Sequence, residues 1–210
     1  MSKNKETQLS WSDITLDQFI QLSKTSDIKD DTEKMLAIGE IVYGDGINDL
    51  SITEFSKKMN QLGFLSQEIP TSVPPKKVVL NGRKYFTDCL LGNITTAQYI
   101  DFQNHMKSTS DSKEANILSV FIIPEGHKYN DGYDMLEVIN DIKSMPMPVV
   151  MSISFFFGRQ FSVFMRIFQR YSKKKIQDLK LPKEMKEAMK GVVDSSVDLA
   201  LYPLSSPSAK

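Results

Sequence analysis

Few side chains in this 210-residue chain are of the kinds that perform covalent or metal chemistry. There are two histidines, His105 and His127, and one cysteine, Cys89. No Gly-rich phosphate loop, His-x-x-x-His pair or Gly-x-Ser-x-Gly segment occurs. His127 stands near Glu125, Asp131 and Asp134, the one grouping whose residue types resemble a metal-binding set. Helix capping accounts for Asp131 and Asp134 equally well, and a metal ion requires more ligands in reach. Cys89 sits in an apolar context and reads as a small buried side chain. The residue types therefore point away from an enzyme: no catalytic, cofactor-binding or metal residues and no cofactor are expected. A single cysteine allows no disulfide within the chain, in keeping with a reducing cytoplasm.

What remains is the chemistry of contact. Residues 145–165 are very apolar and carry Phe155, Phe156, Phe157, Phe161 and Phe164. A membrane span requires about 20 apolar residues with few charges. Here Arg159 interrupts the run, Pro146 and Pro148 open it, and Arg166 and Arg170 follow. The segment reads as a buried central helix, not a span. Apolar coverage all round suits a core helix or one gripped by a partner. Its methionines, Met145, Met147, Met151 and Met165, suit an adaptable surface. A second contact element is Lys77-Val78-Val79-Leu80, Asn81-Gly82, Arg83-Lys84-Tyr85-Phe86. Asn-Gly between two β-prone runs is a strong hairpin signal. A lone hairpin is marginal in water, so it must pack on helices or pair with another chain, and its edges are candidates for strand addition. The candidate partner-binding residues are thus Val78, Leu80, Tyr85 and Phe86 on the hairpin, and the five phenylalanines. The alternative is that all five phenylalanines are ordinary core.

The net charge is zero but unevenly spread. Arg159 to Lys190 holds ten Lys and Arg against three Asp and Glu, while residues 1–158 carry about −6. Such asymmetry marks either an interaction surface or a solvated helix end. The Lys173–Lys175 run lacks interleaved aromatics and any groove-reading motif, so nucleic acid is not expected. The polar N-terminus lacks the apolar core of a signal peptide.

The elements that position these residues announce themselves through helix starts. Ile14-Thr15-Leu16-Asp17-Gln18-Phe19-Ile20 and Ile94-Thr95-Thr96-Ala97-Gln98-Tyr99-Ile100 share one pattern, eighty residues apart. Thr15 and Thr95 are N-caps with Gln18 and Gln98 at the third helical position, which makes capping boxes, and the flanking apolar residues fit hydrophobic staples. Residues 35–46 and 115–126 echo at the same offset, each an apolar run broken by Gly44 or Pro124. This suggests an internal duplication; the alternative is that any two amphipathic helices align. Helices are predicted over about 16–23, 32–43, 52–62, 96–107, 112–123, 133–144 and 149–172, with a short terminal helix that has Pro182 in its first turn, reaches Lys190 and is stopped by Gly191. In the third, Ile52, Phe55, Met59 and Leu62 form the expected buried stripe. Trp11 should anchor the N-terminal arm. The fold class expected is mainly α: a compact helical domain with an internal pseudo-repeat and one β-hairpin. Its parts are a disordered arm (1–10), an N-terminal helical module (11–66), the hairpin with a second helical module and long helix (76–172), and a basic helix with a flexible tail (173–210).

This order of elements resembles the tail assembly chaperones of long-tailed bacteriophages. The likeness spans residues 12–170 and rests on Gln98-Tyr99-Ile100-Asp101 after the hairpin, residues 117–129, and Phe155-Phe156-Phe157. The resemblance implies a small, mainly helical, non-enzymatic protein that binds the tape-measure protein and tail-tube subunits in the cytoplasm of an infected bacterium. A homo-oligomer fits this setting; a membrane does not. The Pro-rich linker at 70–75 and the basic extension depart from the pattern. The alternative class is a structural head-to-tail connector or neck ring protein of the virion.

Overall fold

Ser10, Thr15, Ser51 and Thr95 all begin helical turns in the same way. Each hydroxyl accepts from the backbone N–H three residues on, or for Ser10 one of the first turn's N–H groups, and the residue at that third position (Asp13, Gln18, Glu54 or Gln98) accepts the cap's own N–H. The computed structural model describes residues 8–87, 93–179 and 181–191, except the side chains of Phe161, Phe164, Met165, Ile167 and Phe168. The predicted N-terminal arm up to residue 7, Cys89 and the predicted tail from 192 lie outside the described residues. The chain is mainly helical with one three-stranded antiparallel sheet. It divides into two units, Met1–Cys89 with Ile94–Ser154, and Leu90–Asn93 with Phe155–Lys210.

In the first unit, α1 (Leu16–Lys24), α2 (Asp31–Tyr43) and α3 (Ile52–Gln61) are joined by single 3-10 turns. Trp11 anchors the entry to α1 as predicted: its ring meets Phe64 and Phe19 edge-on, and its indole N–H donates to the Gln67 carbonyl at 3.1 Å. The Tyr43 hydroxyl at the end of α2 donates to the Lys58 carbonyl of α3. Gly39 lies where a Cβ would come within 2.9 Å of Ile47, so the close approach of α2 to the following turn depends on the missing side chain. The expected buried stripe on α3 needs correcting. Ile52, the first residue of the helix, is 88% exposed, Phe55 and Met59 are half-buried, and only Leu62, just past the end of α3, is buried.

The sheet has the order β1 (Lys77–Leu80), β2 (Arg83–Thr87), β3 (Ile122–Pro124). The hairpin turn is formed as predicted, with Asn81 at φ 48° and Gly82 at φ 80°. The partner it required is β3. This corrects the predicted helix over 112–123: α5 covers only Lys113–Ser119, and the β-branched run beyond it pairs with β2, Phe86 opposite Ile123. Pro124 falls at an edge, where its missing N–H breaks no ladder. The next helix, α6 (Met135–Lys143), is capped by Asp134, one of the two aspartates offered as caps by the sequence, and not by Asp131. The long α7 (Met147–Asp178) begins earlier and ends later than predicted, with Pro148 in its first turn where no N–H is needed. The Pro-rich linker is tied to α7 by Ser152, whose hydroxyl accepts from Ser72 N–H and donates to the Pro148 carbonyl.

The paired capping boxes do one further thing alike. Gln18 donates from its amide to the Ile41 carbonyl near the end of α2, and Gln98, heading α4 (Thr96–Lys107), donates to the Val120 carbonyl just past α5. The likeness stops there. The helix that receives the bond has 13 residues in one case and 7 in the other, and it continues into a 3-10 turn in one and a strand in the other. A pseudo-repeat of the modules is not shown.

The second unit contains α7 from Phe155 onward, with Phe157 and Ile176 buried, and a helical run over 183–191; Pro182, expected in its first turn, lies just before it, and Gly191, expected to stop it, is its last residue. No helix among the described residues is long and apolar enough to cross a membrane.

Replacing Gln98, a buried residue, with Ala strands both the Thr95 N–H and the Val120 carbonyl. We expect a loss of about 2 kcal/mol, against about 1 kcal/mol for Gln18→Ala at its more open site. Urea midpoints of the two variants test this ranking, and equal losses would contradict it.

Candidate binding surface

Side chains of an antiparallel hairpin alternate between faces, so the sheet sorts the predicted contact residues. Leu80 and Tyr85 are buried and Val78 is half-buried; they face the core. They leave the predicted contact surface for this reason. The outer face holds Lys77 opposite Phe86 and Val79 opposite Lys84. Val79 is 65% exposed and Phe86 remains exposed despite its size. The Lys77 ammonium lies 4.5 Å above the Phe86 ring and pairs with Glu125 at 2.8 Å. β1 is the terminal strand, and no backbone hydrogen bond from its outer edge occurs among the described residues.

What holds this face rigid is a buried carboxylate. Asp141 on α6 is only 4% exposed and accepts from the Asn81 amide at 2.8 Å, the Arg83 guanidinium at 3.0 Å and the Tyr85 hydroxyl. Arg83 also pairs with Glu137. Turn, strand and helix are thus locked through one side chain. Burial alone pushes the Asp141 carboxyl up, but the bonds from Tyr85, Asn81 and Arg83 outweigh it and leave it below its usual value. Burial, followed by donation to Asp141, pushes the Tyr85 phenol up to about 12. The sequence reading missed Asp141. The signal was present: an acid at position 141 shares the helical face of Val138 and Ile142, both buried.

A second polar contact joins α4 to the loop after β3. The Tyr129 hydroxyl donates to Asp101 at 2.8 Å, and burial together with that carboxylate raises its phenol above the ordinary value. Beside it, His127 meets the Tyr133 ring edge-on at 5.7 Å. Two of the three carboxylates grouped with His127 are otherwise engaged. Glu125 pairs with Lys77, and Asp134 caps α6. No set of three or more His, Cys, Asp or Glu residues converges for a metal among the described residues.

The phenylalanines of α7 do not share one face, since consecutive helical residues diverge by about 100°. Phe155 is 62% exposed, Phe156 half-buried and Phe157 buried. The side chains of Phe161 and Phe164 lie outside those described.

Two outcomes are expected from the Asp141 cluster. Asp141→Ala leaves the Tyr85 hydroxyl buried without its acceptor and should cost about 3 kcal/mol, whereas Tyr85→Phe, which removes one bond and keeps the ring, should cost about 1.5 kcal/mol. Chemical denaturation measures both, and a smaller loss for Asp141→Ala would contradict the assignment. The pH dependence has a definite sign. The folded Asp141 pKa lies below the unfolded value of about 3.9, so its contribution is complete above that value and disappears as pH falls through the folded pKa. Tyr85 contributes stability that is intact below about pH 10 and lost as pH rises through about 12. Asp141→Asn should flatten the acid limb of the stability curve, and Tyr85→Phe the alkaline limb; unchanged limbs would show that the groups do not titrate with folding.

Comparison with protein-family models, curated proteins and solved structures finds no match for this chain.

Proposed function

We propose that this chain is a polypeptide-binding protein of the tail assembly chaperone kind, which holds the tape-measure protein during phage morphogenesis and recruits tail-tube subunits to it. The observation that carries the binding part is the hairpin's outer face. It offers Val79 and Phe86 to solvent beside an unpaired strand edge, while Asp141 fixes the same hairpin from beneath. Exposed apolar residues on a rigid strand suit the addition of an extended client segment: the main chain supplies hydrogen bonds and alternate side chains supply contact. The identity of the client comes from the resemblance in the order of motifs. Gln98 and Asp101, which belong to that resemblance, serve structure here, as a helix cap and as the acceptor of Tyr129.

Co-expression with a tape-measure protein tests the reading. The chain should keep that protein soluble and co-purify with it, and should be missing from finished virions. Val79→Asp combined with Phe86→Asp, both on the outer face, should lower capture at least tenfold without loss of helical signal. Retained capture by this variant would remove the hairpin from the proposal. Rings of the chain in purified virions would replace the chaperone with a connector.

A further inference from the structure

The zero net charge of the chain is the balance of two opposite stretches. Residues 13–54 hold ten Asp and Glu against three Lys. Residues 142–177 hold seven Lys and Arg and no Asp or Glu. In the first stretch, Asp27, Asp31, Glu33, Glu40, Asp45 and Asp49 are all exposed, along α2 and the turns that bracket it. None forms an ion pair among the described residues. In the second, Arg159, Arg166, Arg170 and Lys173 fall within about 60° of one another around α7 and span about 21 Å along it. The three arginines are exposed and likewise have no ion-pair partner among the described residues.

We infer that the basic face of α7 docks on the acidic α2 region of a second copy of this chain, head to tail. The two surfaces match in sign and in length, since the 13 residues of α2 extend about 20 Å. Each also exposes large apolar side chains: Met35, on the side of α2 that carries Asp31, and Ile52 in the acidic region, and Phe155 and Val163 beside the arginines of α7. Such contacts form the centre of an interface while charges select the partner and the register. A nucleic acid would account for the arginines and leave the exposed carboxylates of residues 27–49 unexplained. A lipid surface requires an open apolar helix face; among the described side chains of α7, Phe157, opposite the arginines, and Ile176 are both buried. Because each copy carries one surface of each sign, pairing leaves one of each unused. Assembly therefore continues beyond a dimer until a ring closes or a filament forms. The contact is independent of any client.

Sedimentation velocity on the full chain tests this. At about 20 mM salt the mean mass should rise with concentration beyond that of a dimer, and at about 0.5 M salt, where the screening length is a few ångströms, it should return to the monomer. Two sets of variants sharpen the test: Arg159→Gln with Arg166→Gln and Arg170→Gln, and Glu33→Gln with Glu40→Gln and Asp49→Asn. Each set alone should associate at least tenfold more weakly. Mixed, they retain one working surface of each kind and should stop at a one-to-one dimer. A monomer at low salt, association insensitive to salt, or failure of the two sets to combine would each overturn the inference. So would salt-dependent binding of a duplex DNA by a chain that stays monomeric, which would assign the arginines to phosphate. The salt series on the unaltered chain decides the matter even if a variant fails to fold.

Discussion

Two backbone hydrogen bonds join the start of α1 to the start of α7 across about 130 residues of chain. Leu16 N–H donates to Met145 and Met147 N–H donates to Ile14, each at 2.9 Å, with Thr15 opposite Pro146 between them. Ile14, Leu16, Met145 and Met147 are all fully buried. In a water-free setting these amides have no other partner, so the bridge is held by the cost of breaking it more than by its own strength. Pro146 fits because an antiparallel bridge takes its bonds from the flanking residues, and a missing N–H at the centre costs nothing. The same Thr15 caps α1 and carries Gln18, which reaches α2. The entry to the first helices and the exit to the last thus share one fixed point.

The sheet depends on a second constraint of the same kind. Beneath its inner face lies a buried carboxylate, Asp141 of α6. Placing a carboxylate under a hairpin is costly unless its lone pairs are filled, and three donors from the turn and β2 fill them. The arrangement excludes a shift of register: moving β2 by one residue would turn Tyr85 outward and leave Asp141 without its donors. Rigidity below is what makes the exposure of Val79 and Phe86 above meaningful. An apolar side chain on a fixed strand loses little freedom when it binds.

Charge is organised on a larger scale than either constraint. The acidic stretch surrounds a helix built around caps and turns, where Asp30 and Glu54 are the natural choices. The basic stretch, 36 residues without a single acid, runs from the end of α6 along α7 as far as residue 177. Capping chemistry explains some of the acids, but no local rule of helix stability requires the second pattern, since Glu–Lys pairs along the helix would stabilise it better. A surface that gives up such pairs is suited to a partner that supplies the opposite charge.

The sequence by itself determined the starts of α1, α3 and α4, because a capping box is written in residues three positions apart and needs no distant partner. It determined the Asn81-Gly82 turn, since those residues tolerate positive φ, and the anchoring role of Trp11. Tertiary structure decided everything that depends on which side a residue faces or on a distant neighbour. The run after Ser119 is a strand because β2 needed an edge partner. Ile52 is exposed because nothing packs at the end of α3. Leu80 and Tyr85 are core because Asp141 lies beneath them. Phe155, Phe156 and Phe157 look like one patch in sequence and diverge in space because a helix turns by about 100° per residue. Hydrophobicity and propensity are local quantities; burial is a property of the whole packing.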